Sequence, residues 1–282
     1  MLRSAADHKL VVEQISTREA GIRWPGYRLP ESFSALFEQR AGYLMVEDCV
    51  MAHAHVARSA GAELRCDVAV RGWKVNNRGV TVETDTETLS ADRLVITAGA
   101  WANEMLPSLK VPFTILRKPL FWYRSDNPAH LLDAECPCFL FETLGGIFYG
   151  FPQRNNLGVK LAEHTGGTIV DDPFHVDRTL HSADQRRVEE CLAEHLPGAT
   201  TDCAAHAVCM YTMSPDGHFV LGKHPEHSQV VFTAGLSGHG FKFTSVLGEI
   251  MADLALDGET KHPIEFLSPT RFSMNSTGVA TH

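Results

Sequence analysis

Between residues 209 and 257 the chain reads CMYTMSPDGHFVLGKHPEHSQVVFTAGLSGHGFKFTSVLGEIMADLALD. Residues 230–234 of this stretch are an apolar run of the kind a strand shows when it is covered on both faces. Gly235, Ser237, Gly238, His239 and Gly240 follow at once and lead into a predicted helix. Strand, glycine-rich turn and helix in that order aim unpaired backbone N–H groups at something electron-rich. The glycines remove the Cβ atoms that would hold a ligand away. Upstream, turns at Ser214-Pro215-Asp216-Gly217 and at His224-Pro225-Glu226-His227 bracket a short apolar strand at 219–221.

The 282 residues, 44% of them hydrophobic, suffice for one large or two ordinary domains. A formal charge of −9 without long like-charge runs argues against a nucleic-acid-binding face. No apolar run reaches the length of a membrane span and no signal peptide is visible, so a soluble, cytoplasmic protein is the expectation. Cysteines fall at 49, 66, 136, 138, 191, 203 and 209; the odd number and the absence of an export signal argue against a disulfide scaffold. Cys136-Pro-Cys138 is spaced too tightly for a usual zinc knuckle, and His53 and His55 do not share a helical face, so no metal site is expected.

Taken in order, residues 1–40 show no complete unit. A strand over 42–46 is expected to enter a helix from Glu47 to about Ala60, followed by a strand over 63–70, a turn over 72–77, and a hairpin of 80–84 with 88–90. Residues 94–97 form a continuous apolar strand that leaves through the small residues Ala98-Gly99-Ala100 into a helix over 101–106. That exit lets backbone approach a cofactor closely, or is simply a tight strand-to-helix turn. Aromatic and β-branched segments at 111–117, 119–123, 137–142, 146–151 and 158–162 predict an antiparallel meander. An amphipathic helix over 183–196 is stopped by Pro197-Gly198.

The motifs Cys209-Met210-Tyr211-Thr212, Ser214-Pro215-Asp216, His218-Phe219, His224-Pro225-Glu226-His227, the run from Ser237 to Phe243, and Val246-Leu247-Gly248-Glu249 together resemble the monomeric sarcosine oxidase and N-methyltryptophan oxidase family, FAD enzymes of the D-amino-acid-oxidase type. The resemblance covers most of the chain. It implies an α/β fold, α+β in its mixture: a Rossmann-like FAD-binding domain (41–106 and 206–260) interleaved with an antiparallel-sheet substrate domain (1–40 and 107–205), with 261–282 as a C-terminal tail. It implies oxidation of a small N-methyl amino acid such as sarcosine to an imine, with O2 reduced to hydrogen peroxide. A dehydrogenase using another acceptor differs only in oxygen reactivity.

By the same resemblance Cys209 carries FAD covalently, and Ala98, Gly99, Trp101, Gly238, Gly240 and Lys242 line the cofactor. Lys160 serves oxygen, while His164, Tyr149, Tyr211 and Lys242 position substrate. Each residue also has a plainer reading: an inert core thiol for Cys209, solvated lysines for Lys160 and Lys242, a turn cap for His164, and core aromatics for Tyr149 and Tyr211.

The family opens with a strand, Gly-x-Gly-x-x-Gly and a helix that seat the pyrophosphate. No Gly-x-Gly-x-x-Gly occurs in this sequence. The expectation is therefore an incomplete FAD-binding domain, truncated at its N-terminus relative to the family. Three readings stay open: Met1 is an internal start, a separate N-terminal partner segment completes the protein, or the chain is a folded remnant that does not bind FAD alone.

Overall fold

The computed structural model describes residues 1–273. Helix α1 (Leu2–Asp7), β1 (Glu13–Ile15), α2 (Thr17–Arg23) and β2 (Ala35–Phe37) come first, followed by α3 (Val46–Ser59). Strands β3 (Val70–Asn76), β4 (Gly79–Thr84) and β5 (Thr88–Ala91) form an antiparallel three-stranded sheet. Strand β6 (Leu94–Ile96) leads through a 3-10 turn, Gly99–Trp101, into α4 (Ala102–Met105). Then come β7 (Thr114–Ser125), β8 (Phe139–Thr143), β9 (Gly146–Phe151), β10 (Val159–Glu163), β11 (Thr168–Ile169) and α5 (Ser182–His195). The chain continues with β12 (Ala199–Met213), β13 (Val220–Lys223), β14 (Val230–Ala234), α6 (Thr244–Leu256) and α7 (Thr270–Ser273).

Two compact units result. The first comprises Met1–Tyr43, Lys118–Thr168 and Asp177–Cys209; the second comprises Leu44–Arg117, Ile169–Val176 and the chain from Met210 onward.

The first unit is built on a sheet of order β11-β7-β10-β9-β8, with β12 also pairing β7. Its core joins Phe121, Tyr123, Phe141, Phe148, Val159 and Leu161 to Val188, Cys191 and Leu192 of α5. The three α5 positions recur at helical spacing, so one stripe of the helix docks while its charged residues stay outside.

In the second unit β13, β14 and β6 form one sheet, antiparallel at β13–β14 and parallel at β14–β6. Val230, Phe232 and Ala234 of β14 pack into one core with Ile96, Leu106 and Phe113. Val231 points the other way, into a core with Leu247, Ile250, Met251 and Leu254 of α6. Alternation between two covered faces is why this strand reads as one unbroken apolar run.

The mixed helix-and-sheet class matches the expectation, and several local elements differ. Residues 42–45 form no strand, and 63–69 are largely irregular. The predicted turn over 72–77 is most of β3, where Val75 pairs with Val80. Residues 111–117 and 119–123 do not make two strands; β7 runs unbroken from Thr114 through Pro119 to Ser125. Pro119 lies beyond the last β7–β10 pair, Leu161 with Phe121. The sheet is not a simple meander, since β7 pairs with β10 and not with β8. Part of the expected tail is anchored: Arg271 forms an ion pair with Asp216. Residues 274–282 of that tail lie outside the described residues. No helix among the described residues is long and apolar enough to cross a membrane.

Candidate active site

Strands β14 and β6 run side by side in parallel, with Val230 opposite Leu94 and Phe232 opposite Ile96. Both therefore end at the same edge of the sheet, and both lead into small residues, Ala98-Gly99-Ala100 after β6 and Gly235 after β14. Ligands of open α/β sheets bind in the crevice outside the carboxyl ends of such strands. After β6 come Ala98, Gly99 and Trp101. Gly99 has φ +54°, and a Cβ built on it would meet open space. Trp101 packs on Phe174 at 5.3 Å, and its buried Nε1 has no hydrogen-bond partner among the described residues.

After β14 the backbone passes through the left-handed region at Gly235 (φ +60°), Ser237 (+47°) and Gly238 (+75°). At Ser237, a residue with a side chain, that conformation costs about 1–2 kcal/mol, and a buried hydrogen-bond set offsets it. Ser237 N–H donates to Thr212 O at 2.9 Å, and its Oγ donates to Gly235 O at 3.0 Å. The same Oγ accepts from Ser214 N–H at 3.2 Å. Ser214 Oγ donates to His218 O at 2.6 Å and lies 3.1 Å from Asp216 Oδ1. Arg271 donates to both Asp216 oxygens, at 2.8 and 3.0 Å. These bonds, aided by the His218 N–H, hold the Asp216 carboxyl down to about 2. The Ser214-Pro-Asp-Gly turn thus fastens the glycine turn from below.

Gly238 has a second reason to be glycine. A Cβ there would lie 2.2 Å from the Tyr211 ring, so that ring rests directly on the Gly238 backbone. At Gly240 the neighbour is Leu236, 2.5 Å from a built Cβ. His239 Nδ1 lies 3.0 Å from Ser237 O and its ring packs on Phe219 at 4.9 Å, which makes it a support of the turn. Lys242 lies in the 3-10 turn Phe241–Phe243, exposed, with Nζ 5.5 Å from the Phe243 ring.

A second cluster lies in the first unit. On β10, Lys160 pairs with Trp122 of β7 on one side and Phe151 of β9 on the other. Cross-strand neighbours point to the same face, so the ammonium sits over both rings, 5.1 Å from Trp122 and 5.3 Å from Phe151. Tyr149 pairs with Ala162, and its ring lies 6.1 Å from Phe151 and 6.5 Å from His164. Tyr43 adds another edge to Phe151 at 5.4 Å.

The structure thus brings Lys160, His164 and Tyr149 together in the first unit. In the second it brings Tyr211 onto Gly238 and sets the Ala98–Trp101 exit beside the 235–240 exit. Cys209 is exposed on β12, two residues before Tyr211 and on the same face by strand alternation. It is not an inert core thiol. Sequence reasoning missed Trp122 and Phe151 as the flanks of Lys160. Their signal was present in aromatic strands, but cross-strand register, which no single strand shows, decided the contact.

A family model described as FAD dependent oxidoreductase matches residues 1–254. Monomeric sarcosine oxidase of Bacillus sp. (strain B-0618) is 36% identical over 273 residues, covering 96% of this chain and 70% of that protein. N-methyl-L-tryptophan oxidase of Yersinia pestis (strain Pestoides F) is 34% identical over 276 residues, covering 96% and 72%. Among solved structures, NikD, described as an unusual amino acid oxidase essential for nikkomycin biosynthesis, superposes with a TM-score of 0.80 at 23% identity, over 95% of this chain and 71% of that one. Glycine oxidase of Geobacillus kaustophilus gives 0.76 at 23% identity, over 95% and 69%. At that identity the two structures speak for the fold.

Proposed function

This chain belongs to the family of FAD dependent oxidoreductases, and from that premise we propose that it is part of an oxidase of secondary amines, acting on sarcosine or another N-methyl amino acid and reducing O2 to hydrogen peroxide. The observation that carries the reading is the pair of small-residue exits side by side at the carboxyl ends of β6 and β14. FAD fits the residues there. Gly99 opens on free space, Gly238 brings backbone close beneath an aromatic ring, and the buried Trp101 Nε1 is a donor still lacking an acceptor.

When bound, FAD supplies a two-electron acceptor; the chain's own residues do the rest. Ala98, Gly99, Trp101, Gly238 and Gly240 would line the cofactor, and the exposed thiol of Cys209 would attach to it covalently. Lys160, its ammonium flanked by two ring faces, supplies a fixed positive charge that stabilises negative charge developing nearby. Tyr149 and His164 orient the amine, Tyr211 forms a wall, and Lys242 draws the substrate carboxylate.

The exposed surface of the second unit supports a completing segment. No residue of α3 is buried, and Val50, Met51 and Val56 are 52%, 65% and 65% exposed. Among the described residues β6 is an edge strand, with Val95 43% exposed. An apolar edge strand and an uncovered amphipathic helix suit a strand–glycine turn–helix unit that adds to the sheet and supplies the pyrophosphate seat.

The test is to express the chain with FAD, denature it in acid, and look for flavin fluorescence on the protein band. Peroxide release with sarcosine and with N-methyl-L-tryptophan is then assayed. Fluorescence that is lost in Cys209→Ser, together with peroxide formation from either amine, is the expected result. A colourless band and no peroxide, even after an FAD-binding segment is added in trans, would leave the non-catalytic remnant as the answer.

A further inference from the structure

Lys118, on β7, keeps only 4% of its surface exposed. An ammonium at that depth requires acceptors. Lys118 Nζ donates to three consecutive carbonyl oxygens: His164 at 3.1 Å, Thr165 at 2.7 Å and Gly166 at 3.1 Å. An ammonium carries three N–H donors, one for each.

The backbone explains why these carbonyls need a side chain. Strands β7 and β10 pair Val159 with Tyr123, Lys160 with Trp122 and Leu161 with Phe121. Extended, that register would set Glu163 opposite Pro119 and His164 opposite Lys118. The last β10 pair with β7 is Leu161 with Phe121, and β7 is met again by β11 (Thr168–Ile169), so the chain between them passes Pro119, which has no N–H to give. On the other side it stays attached: His164 N–H donates to Ile147 O at 2.7 Å, and Ile147 N–H donates to Thr165 Oγ1 at 3.1 Å. Gly166 and Gly167, at φ +64° and +119°, then turn the chain.

We propose that Lys118 is a positioning residue: its ammonium gathers the His164, Thr165 and Gly166 carbonyls and fixes the direction in which His164 leaves β10. The importance of His164 to substrate rests on the function proposed above; the clamp itself does not.

Burial pushes the Lys118 ammonium down to about 8, with Glu163 opposing that shift and Arg187 adding to it. The charged groups acting on it are Glu163 on β10 and Arg187 on α5, and the titratable side chain of the held turn is His164. Arg187 donates to Glu163 at 2.7 Å. Below about pH 8 all three carbonyls are held. Above it the amine has two N–H groups and a lone pair, so one carbonyl loses its donor. Global stability moves the other way. The folded pKa lies below the unfolded value of about 10.4, so the cost of burying the charge is present below pH 8 and is relieved as pH rises. Loosening of one turn while the whole chain grows no less stable distinguishes the clamp from alkaline unfolding.

The experiment is pulse-labelling hydrogen exchange on the full chain from pH 7 to 9.5, without substrate, corrected for intrinsic exchange. Protection of the His164 and Ile147 amides, which donate to Ile147 O and to Thr165 Oγ1 at the held turn, is expected to fall by roughly tenfold or more with a midpoint near that of Lys118. In Lys118→Arg, which stays charged, the step disappears and protection persists. In Lys118→Met protection is low throughout. A wild-type chain without the step, or a step that survives in either variant, overturns the proposal; should a variant fail to fold, the wild-type pH series decides alone. If the step is present but Lys118→Met leaves both KM and kcat for sarcosine unchanged, the clamp stands and the substrate role of His164 falls.

Discussion

Gly238 is constrained twice, by its backbone and by its neighbour. Its φ of +75° is a conformation that costs an L side chain about 1–2 kcal/mol, and a Cβ would strike the Tyr211 ring at 2.2 Å. Gly238→Ala should therefore destabilise the chain by more than the backbone cost alone, read as a lower urea midpoint. In a Tyr211→Ala background the ring contribution disappears, so the two substitutions should couple by roughly 0.5–3 kcal/mol. Strict additivity would mean that the ring does not rest on the glycine. Single residues also explain which site assignments were readable. Glycines between a strand and a helix announce themselves. Lys118, by contrast, reads in sequence as an ordinary lysine before a proline, and only its burial against three carbonyls gives it a role.

Among the elements, the segment from Glu265 to Ser273 is held by the burial of Leu267, by the packing of Phe272 and by one ion pair. Arg271 and Asp216 hold it to the Ser214-Pro-Asp-Gly turn, which in turn supports Ser237. The Asp216 carboxyl is depressed in the folded protein, to about 2. Its stabilising contribution is therefore complete above the unfolded value of about 3.9 and is lost as pH falls from there through about 2. Hydrogen exchange at Leu267 should accelerate over that window in the wild type. Asp216→Asn should show the faster exchange already at pH 7, with no acid step of its own. β7 teaches a related lesson about elements. The segments 111–117 and 119–123 look like two strands, yet β7 runs through Pro119 without a break, beyond the last β10 pair.

For the molecule as a whole, the uncovered face of α3 makes a prediction that separates folding from assembly. Met51 and Val56 are 65% exposed, and no α3 residue is buried. Met51→Glu with Val56→Glu should leave the unfolding midpoint of this chain within about 0.5 kcal/mol. The same pair should weaken complementation by an FAD-binding segment added in trans. A large loss of stability would show instead that α3 already has its partner within the chain. The fold class, the strand–glycine–helix unit and the family were legible from residues 209–257 because they rest on local signals: apolar periodicity, turn chemistry and a motif order confined to one stretch. Tertiary structure alone decided that the exits of β6 and β14 lie side by side, that Trp122 and Phe151 flank Lys160, that Tyr211 covers Gly238, and that Lys118 gathers the carbonyls of 164–166. Each of these depends on register between strands far apart in sequence, and a one-residue slip in register would turn every such side chain to the opposite face.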